Sequence, residues 1–503
     1  MDQKKTNTTL TVVGLMLGLL LAALDQTIVS TAMPTILGIF GGLDKFVWVY
    51  SAYLIASVVG MPIFGKLSDM YGRKRFFVLG LVIFMLGSAL CGTAQSMTQL
   101  ILYRAIQGIG GGALMPIVFT IVFDIFPPEK RGKMQGLFGA VFGLSSVLGP
   151  LAGAFFTDYV NWRWCFYVNL PLGIVSLILI YMSYHETRSS HKQKIDLLGT
   201  VLMALSVMCL MFGLELGGKE YAWGSGQIIG LFAGFVIFLI VFLLWERKAS
   251  SPIVTLSLFH DRLFTASMGI AFFYGAIMIS GATYIPLFIQ GVFSGSATSA
   301  GLVLTPMMLG VVASSMVGGR FIGKASYRAI MFVSVALIII AVALLGTISI
   351  ETKQWVVTLY MILMGFGMGA SFPIISTSAL HNVDFKMRGS ANSMNTFFRS
   401  IGSAIGVTVF GSLQTHQLGI SIQQLVPPQF AEKLGDGRGL LQESVKNAIP
   451  ADLYHTLLSA LADSIAFVYQ WAILIGVLAA VCIFFMGNAK LQLPGKAKEK
   501  APQ

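Results

Sequence analysis

Leu102-Tyr103-Arg104-Ala105-Ile106-Gln107-Gly108-Ile109-Gly110-Gly111-Gly112-Ala113-Leu114-Met115-Pro116 has a counterpart later in the same chain. A shift of 257 residues lays Leu102 on Leu359, Tyr103 on Tyr360, Gly108 on Gly365, Gly110 on Gly367, Gly112 on Gly369, Ala113 on Ala370 and Pro116 on Pro373, without a gap. The register runs on through Arg131-Gly132 on Arg388-Gly389 and reaches Gly149 on Gly406. Glycine and proline are frequent in membrane helices, so composition accounts for part of the match. An ungapped register across two consecutive helices points to a duplicated unit.

The rest of the chain places that unit in a bilayer. Of 503 residues, 56% are hydrophobic and 11% charged, against about 25% charged in a soluble domain. The apolar residues fall into runs of roughly 20, the length that crosses a hydrocarbon core of about 30 Å as helix. Helix satisfies every backbone polar group within its own segment. Fourteen spans are expected, near 10–33, 46–66, 76–95, 98–123, 134–157, 164–184, 195–217, 226–245, 263–290, 298–320, 328–350, 354–380, 391–414 and 464–488. The first follows Lys4 and Lys5 and is too long for a signal peptide, with no small-residue cleavage site, so it reads as a retained helix. The net charge of +12 is spread over short loops rather than gathered on one domain, which argues against nucleic acid as a partner.

Basic residues stay on the cytoplasmic side of a membrane. With fourteen helices, the termini and the even-to-odd loops hold twenty-four Lys and Arg, the opposite side seven, and Arg104 and Arg399 inside helices complete the 33. One helix more or fewer would scramble that alternation. Both chain ends are therefore expected in the cytoplasm, and the chain as a multi-pass protein of the cell (plasma) membrane of a bacterium. Because helices 4 and 5 repeat as 12 and 13, the halves are helices 1–6 and 9–14, with helices 7 and 8 an inserted hairpin. The expected division is 1–190 for the first bundle, 191–250 for the inserted pair, 251–490 for the second bundle with an outside loop at 415–463, and 491–503 for a cytoplasmic tail. That loop mixes charges with Leu440, Leu441, Leu453, Leu457 and Leu458. Short amphipathic helices on the membrane surface and a plain spacer are both open readings of it.

The turn between helices 2 and 3 reads Gly65-Lys66-Leu67-Ser68-Asp69-Met70-Tyr71-Gly72-Arg73-Lys74-Arg75. Its glycines suit a tight turn, and Asp69 can pair with a basic residue or sit at a helix N-terminus, where its charge is favoured. A positive-inside anchor explains the lysines and arginines but neither Asp69 nor the glycines. The stretch resembles the loop signature of the major facilitator superfamily, in which it latches the two halves together on the cytoplasmic side; the resemblance assigns that gate to Gly65, Asp69, Gly72 and Arg73. The corresponding stretch of the second half, Gly319-Arg320-Phe321-Ile322-Gly323-Lys324, lacks the acid. Parallel duplication of six-helix units about an axis along the membrane normal is the arrangement of the major facilitator fold. The expected architecture is thus an all-α membrane protein of that fold, two six-helix bundles plus an inserted two-helix hairpin.

A basic residue inside a membrane helix is costly and marks a functional site with a partner. For Arg104 the candidate partner is Asp25, in Leu24-Asp25-Gln26-Thr27-Ile28-Val29-Ser30. At 1.5 Å per residue the two lie about 12 and about 10 Å below the outer ends of helices 1 and 4, so they can meet. Burial favours a neutral carboxyl and a guanidinium favours a charged one, which suits Asp25 to exchange a proton as the pair forms and breaks. The pair is expected to be bidentate, as the arginine fork allows; a permanent structural ion pair is the competing reading.

Helix 5 is rich in small residues, Gly143, Ser145, Ser146, Gly149-Pro150 and Gly153-Ala154 among them, which permit close helix approach and a bend. It resembles the glycine-rich motif of the antiporter branch, with Ser145 and Ala154 where that pattern has glycine; the resemblance singles out Gly143, Gly149, Pro150 and Gly153. Further pieces resemble the fourteen-helix drug:proton antiporter family specifically: the Asp25 stretch with Ala32-Met33-Pro34, Asn161-Trp162-Arg163-Trp164-Cys165-Phe166-Tyr167-Val168-Asn169-Leu170-Pro171, and Asn395-Thr396-Phe397-Phe398-Arg399. That likeness spans nearly the whole chain. It implies export of lipophilic, often cationic small molecules against protons, by a protein that works in the bilayer as a monomer without a cofactor. A dedicated exporter of a metabolite, lipid or siderophore is the alternative within transporters.

Two further charges are secondary candidates. Glu215, near the outer end of helix 7, reads either as a lure for cations or as an ordinary solvated acid, and Arg399, deep in helix 13, as a gating group or as a side chain that snorkels. The six histidines are scattered and the four cysteines lie inside apolar runs with no metal-ligand or redox spacing, so neither a metal site nor an intramembrane enzyme is expected. No Gly-rich Lys-Ser/Thr loop is present in a soluble segment, which excludes a nucleotide-driven pump.

Overall fold

Short polar residues begin many of the helices. Ser96 accepts a hydrogen bond from Gln99 N, Asp196 from Gly199 N, Ser225 from Ile228 N, Asp261 from Leu263 N and Ser326 from Ala329 N. Each satisfies a first-turn N–H that has no partner within its own helix. The computed structural model describes residues 6–40, 45–186, 196–218, 220–249, 252–293, 297–384, 387–425 and 450–490, and among these it holds helices and no strand. In chain order they are α1 (Thr8–Phe40), α2 (Phe46–Tyr71), α3 (Arg73–Thr93), α4 (Met97–Ile125), α5 (Pro128–Phe155), α6 (Trp164–Ser183), α7 (Leu197–Leu216), α8 (Gly226–Glu246), α9 (Arg262–Val292), α10 (Ala297–Phe321), α11 (Tyr327–Leu345), α12 (Gln354–Ala379), α13 (Arg388–Leu425) and α14 (Ala451–Phe484). Among the described residues thirteen of these are long and apolar enough to cross a membrane; α5, at 28 residues, is the other.

The repeat seen in the sequence is a repeat of backbone contacts. A Cβ built on Gly108 or Gly112 would run into the backbone of Tyr53 and Ser57 on α2, and one on Gly110 into Phe84 of α3. Their equivalents do the same: Gly365 and Gly369 face Met307 and Val311 of α10, and Gly367 faces Ile338 and Ser334 of α11. Alternate glycines on α4 and α12 thus let one helix touch two neighbours, which is how apolar helices gain packing in lipid. Packing pairs repeat accordingly: α1 with α5 and α6, and α9 with α13 and α14; α4 with α2 and α3, and α12 with α10 and α11. The halves meet through α2 with α13 and through α10 with α5, a pair of contacts that the same exchange interconverts. The hairpin α7–α8 lies beside that seam, with α7 against both α2 and α13.

Several expected boundaries shift. Helix 13 does not stop near 414: α13 runs 38 residues to Leu425, and α14 begins at Ala451, so 415–425 and 451–463 extend these two helices. Leu457 is fully buried and Leu458 nearly so, because α14 packs on α9, α11 and α13 there. Surface helices are therefore the wrong reading for these residues. Leu440 and Leu441 fall outside the described residues. Span 6 is two helical pieces, Trp164–Tyr167 and Asn169–Ser183, and span 12 breaks between Gly369 and Ser371.

One face of the bundle gathers both described chain ends. Asn7 N bonds Ser183 O at the end of α6, Tyr327 N bonds Ala489 O just past α14, and Arg262, first in α9, lies over the Phe485 ring. The glycine contacts set a test of the packing. Gly108→Val should lower the unfolding temperature of detergent-solubilised protein by several degrees, since overpacking costs about 1–3 kcal/mol. Gly230→Ala, at a site with nothing within 4 Å, should leave it unchanged in the same thermal melt.

Candidate functional site

Asp25 and Arg104 meet in the middle of the first half. Their side chains are 0% and 1% exposed, so neither has water to fall back on. Arg104 Nη1 donates to Asp25 Oδ2 at 2.5 Å and to Gln107 Oε1 at 2.8 Å, while Arg104 Nε donates to Val49 O at 3.2 Å. Asp25 Oδ1 accepts from Gln107 Nε2 at 2.7 Å and from Asn169 Nδ2 at 3.0 Å. Asn169 Nδ2 also donates to Ser88 Oγ, whose own hydroxyl donates to Phe166 O. The guanidinium lies 4.4 Å from the Tyr53 ring centroid. The ion pair is therefore end-on rather than bidentate, because Gln107 and Asn169 occupy the second carboxylate oxygen. Five helices supply the network: α1, α2, α3, α4 and α6.

Gln107, Asn169 and Ser88 were not among the expected site residues. A signal for two of them was present: Gln107 falls three residues after Arg104, on the same helix face, and Asn169 is a lone amide in an apolar span. Ser88, one of many serines in spans, gave none.

The second cluster lies on the chain-end face. Asp69 accepts from Gly389 N at 2.9 Å and Ser390 N at 2.6 Å, the open first turn of α13, and Arg73 Nη2 donates to its Oδ1 at 3.3 Å. Both expectations for Asp69, a basic partner and a helix N-terminus, hold at once. Arg73 also pairs with Asp124 at the end of α4. A Cβ built on Gly65 would strike Ser393, and one on Gly389 would strike Asp69, so α2 and α13 touch through two glycines. Gly72 has φ 111°, the left-handed region that favours glycine, and turns the chain into α3. There Glu186 accepts from Arg73 N at 2.7 Å and Lys74 N at 3.3 Å, while Lys74 Nζ donates to the Tyr181 and Tyr184 carbonyls closing α6. Asn392 Nδ2 reaches Pro116 O on α4 at 3.1 Å.

The inserted hairpin joins this cluster. Glu246, the last residue of α8 and 3% exposed, accepts from Ile253 N at 3.0 Å and Val254 N at 3.2 Å through one oxygen. Ser390 Oγ then donates to Ile253 O at 3.3 Å, and Ser390 N is a donor to Asp69. Asp124, Glu186 and Glu246 were missed in the sequence because each sits at a helix end, where an acid looks solvated.

The remaining candidates are dispersed. On α5, a Cβ at Gly149 would collide with Thr27, two residues from Asp25, and Thr27 Oγ1 donates to Ser145 O at 3.0 Å. Gly143, Pro150 and Gly153 lie on the same helix. Glu215 is half-buried near the end of α7, and Arg399 on α13 stacks over Phe372 of α12. Neither joins the Asp25 network. Among the described residues no His, Cys, Asp and Glu group could hold a metal ion.

A family model described as Major Facilitator Superfamily matches residues 15–407. The chain is 48% identical over 505 residues to "Multidrug resistance protein 3" of Bacillus subtilis (strain 168), covering 99% of each, and 36% identical over 513 residues to "Multidrug transporter protein MdtP" of the same organism, covering 97% of this chain and 95% of the relative. Among solved structures it resembles the human organic anion transporter MFSD10 (TETRAN), with a TM-score of 0.63 at 16% identity over 96% of this chain and 100% of that one, a likeness of fold alone. With the duplicated six-helix packing, these matches establish that the chain belongs to the major facilitator superfamily and is a multi-pass membrane transporter.

Proposed function

We propose that this transporter is a proton-coupled exporter of lipophilic drugs and toxic compounds, cationic ones among them, and that it works by alternating access. The observation that bears most weight is Asp25, fully buried and held by Arg104, Gln107 and Asn169 at once. Protonating it would remove the charge that holds Arg104 and loosen donors on two other helices, which couples a proton to the packing of the half. Two relatives named for multidrug resistance and multidrug transport support the substrate class.

In this reading the chain-end face is cytoplasmic, as the bias of Lys and Arg indicates, in the plasma membrane of a bacterium, and the protein acts as a monomer. Residues 1–190 and 251–490 move as the two halves about residues 191–250. Gly65, Asp69, Gly72 and Arg73 form the gate, with Asp69 seated on α13 when the cytoplasmic side is shut. On α5, Gly143, Gly149, Pro150 and Gly153 keep that helix close to α1, so that a shift of Asp25 is felt across the seam.

Proteoliposomes with an imposed pH gradient, loaded with several dyes and quaternary ammonium compounds, test direction, coupling and breadth together. Asp25→Asn should cut gradient-driven export at least tenfold while the protein still inserts; wild-type export by this variant would refute the coupling role. Arg104→Lys keeps the charge but cannot serve Asp25, Gln107 and Val49 O from one plane, so its export rate should fall several-fold in the same assay. Asp69→Asn should weaken the contact with α13 and raise the labelling rate of Ser393→Cys by a membrane-impermeant maleimide in inside-out vesicles. An unchanged labelling rate would count against the gate.

A further inference from the structure

Arg399 lies eleven residues into α13, about 16 Å from its start, in the interior of the bundle. Its guanidinium carbon is 4.5 Å from the centroid of the Phe372 ring. Among the described residues no hydrogen bond or ion pair reaches that guanidinium, so five donors and a positive charge are left to one aromatic face. Four residues earlier on the same helix face, Asn395 Nδ2 donates to Ser376 Oγ at 3.2 Å, while Asn395 Oδ1 is buried without a partner. A donor fork and an acceptor thus stand one turn apart, both unfilled.

Their position is the seam between the halves. Asn392, on the same stripe of α13, crosses to Pro116 O of α4, and Ser400, next to Arg399, donates to Met61 Sδ on α2 at 3.6 Å. Phe372 comes from α12, in the same half as Arg399. The charge balance of the interior points the same way. Asp25, Asp69 and Asp124 each have an arginine partner, and Glu246 accepts backbone N–H groups; the oxygens left unpaired, Asp124 Oδ1 and Glu246 Oε2, lie at helix ends rather than in the middle of a span. Among the described residues the unmatched charge in the middle of a span is therefore a cation. A cationic substrate finds no free carboxylate there, whereas an oxyanion finds Arg399. A half-buried guanidinium deep in a span without an acceptor is costly, and an acidic ligand removes that cost through paired N–H to oxygen bonds.

We propose that Asn395, Arg399 and Phe372 form a subsite for the acidic end of lipophilic substrates, so that the transporter takes zwitterionic or carboxylate-bearing amphiphiles in preference to the corresponding simple cations. The inference rests on the exporter reading and narrows its substrate class. Arg399 holds the carboxylate, Asn395 accepts from a neighbouring N–H or O–H of the ligand, and Phe372 covers its aromatic part.

The test uses full-length protein in lipid nanodiscs and proteoliposomes with two probes, a xanthene dye bearing a free carboxylate and the methyl ester of the same dye. Binding is read by fluorescence anisotropy and transport under a pH gradient. The wild-type protein should bind the carboxylate dye the more tightly. The ratio of the two affinities should fall at least tenfold in Arg399→Gln and by a smaller factor in Arg399→Lys, which keeps charge without the fork. Should Arg399→Gln aggregate, the ratio in Arg399→Lys decides. A wild-type preference for the ester, binding of neither dye, or a ratio unchanged by the substitutions overturns the subsite. Loss of the ratio in the variants, with no gradient-driven transport of either dye by the wild type, supports the subsite and refutes the exporter reading instead.

Discussion

An arginine in the middle of a span is costly unless the protein supplies acceptors, and Arg104 finds three at once. Asp25, Gln107 and the Val49 carbonyl take its N–H groups while the Tyr53 ring covers its face. Each acceptor lies on a helix that has to be in register for the contact to form. The network therefore fixes α1, α2, α4 and, through Asn169 and Ser88, α6 and α3 relative to one another. The second half reaches the same packing without it. At the positions equivalent to Arg104 and Gln107 stand Met361 and Met364, both fully buried, and the glycines at 365, 367 and 369 make the backbone contacts that those at 108, 110 and 112 make in the first. Fold comes from what the halves share, and charge from where they differ.

That division explains what was legible in the sequence. Glycine register, span length and the distribution of Lys and Arg are properties of single segments, and they gave the fourteen helices and the duplicated halves directly. Asp25 with Arg104 could be paired because charges in spans are rare enough to be matched by depth. Gln107 and Asn169 could not be assigned roles by the same logic, since amides are tolerated in many places and only a fold shows which ones converge. Asp124, Glu186 and Glu246 stayed hidden for a different reason. Each ends a helix or follows one, and its partners are backbone N–H groups or a side chain far along the chain. The ends of α13 and α14 were drawn too short because polar residues beyond the bilayer read as loop.

The chain-end cluster has a geometry that glycine makes possible and acids make specific. Gly65 and Gly389 let α2 and α13 close to backbone distance, and Asp69 then bridges them through the N–H groups that any helix start leaves open. Glu246 supports this from the inserted hairpin, by way of Ile253 and Ser390. The hairpin is thus connected to the junction of the halves by hydrogen bonds as well as by apolar packing of α7 on α2 and α13. The helices that sit outside the duplication are tied to the place where its two copies meet.

The length of α13 has a mechanical consequence. At 38 residues it is about 57 Å long, and α14 about 51 Å, against a hydrocarbon core of about 30 Å. Both project from the face opposite the chain ends, bound together by Gln414 with Ser464 at 3.2 Å and by Leu418 and Ile422 within the apolar cluster of Leu457 and Leu461. A stiff pair of rods anchored near the seam behaves as a pointer. A rotation of 10° at its base sweeps a tip about 40 Å away through about 7 Å. A small rearrangement deep in the bilayer is thereby written large on the face opposite the chain ends, where an antibody or a fluorophore could read it.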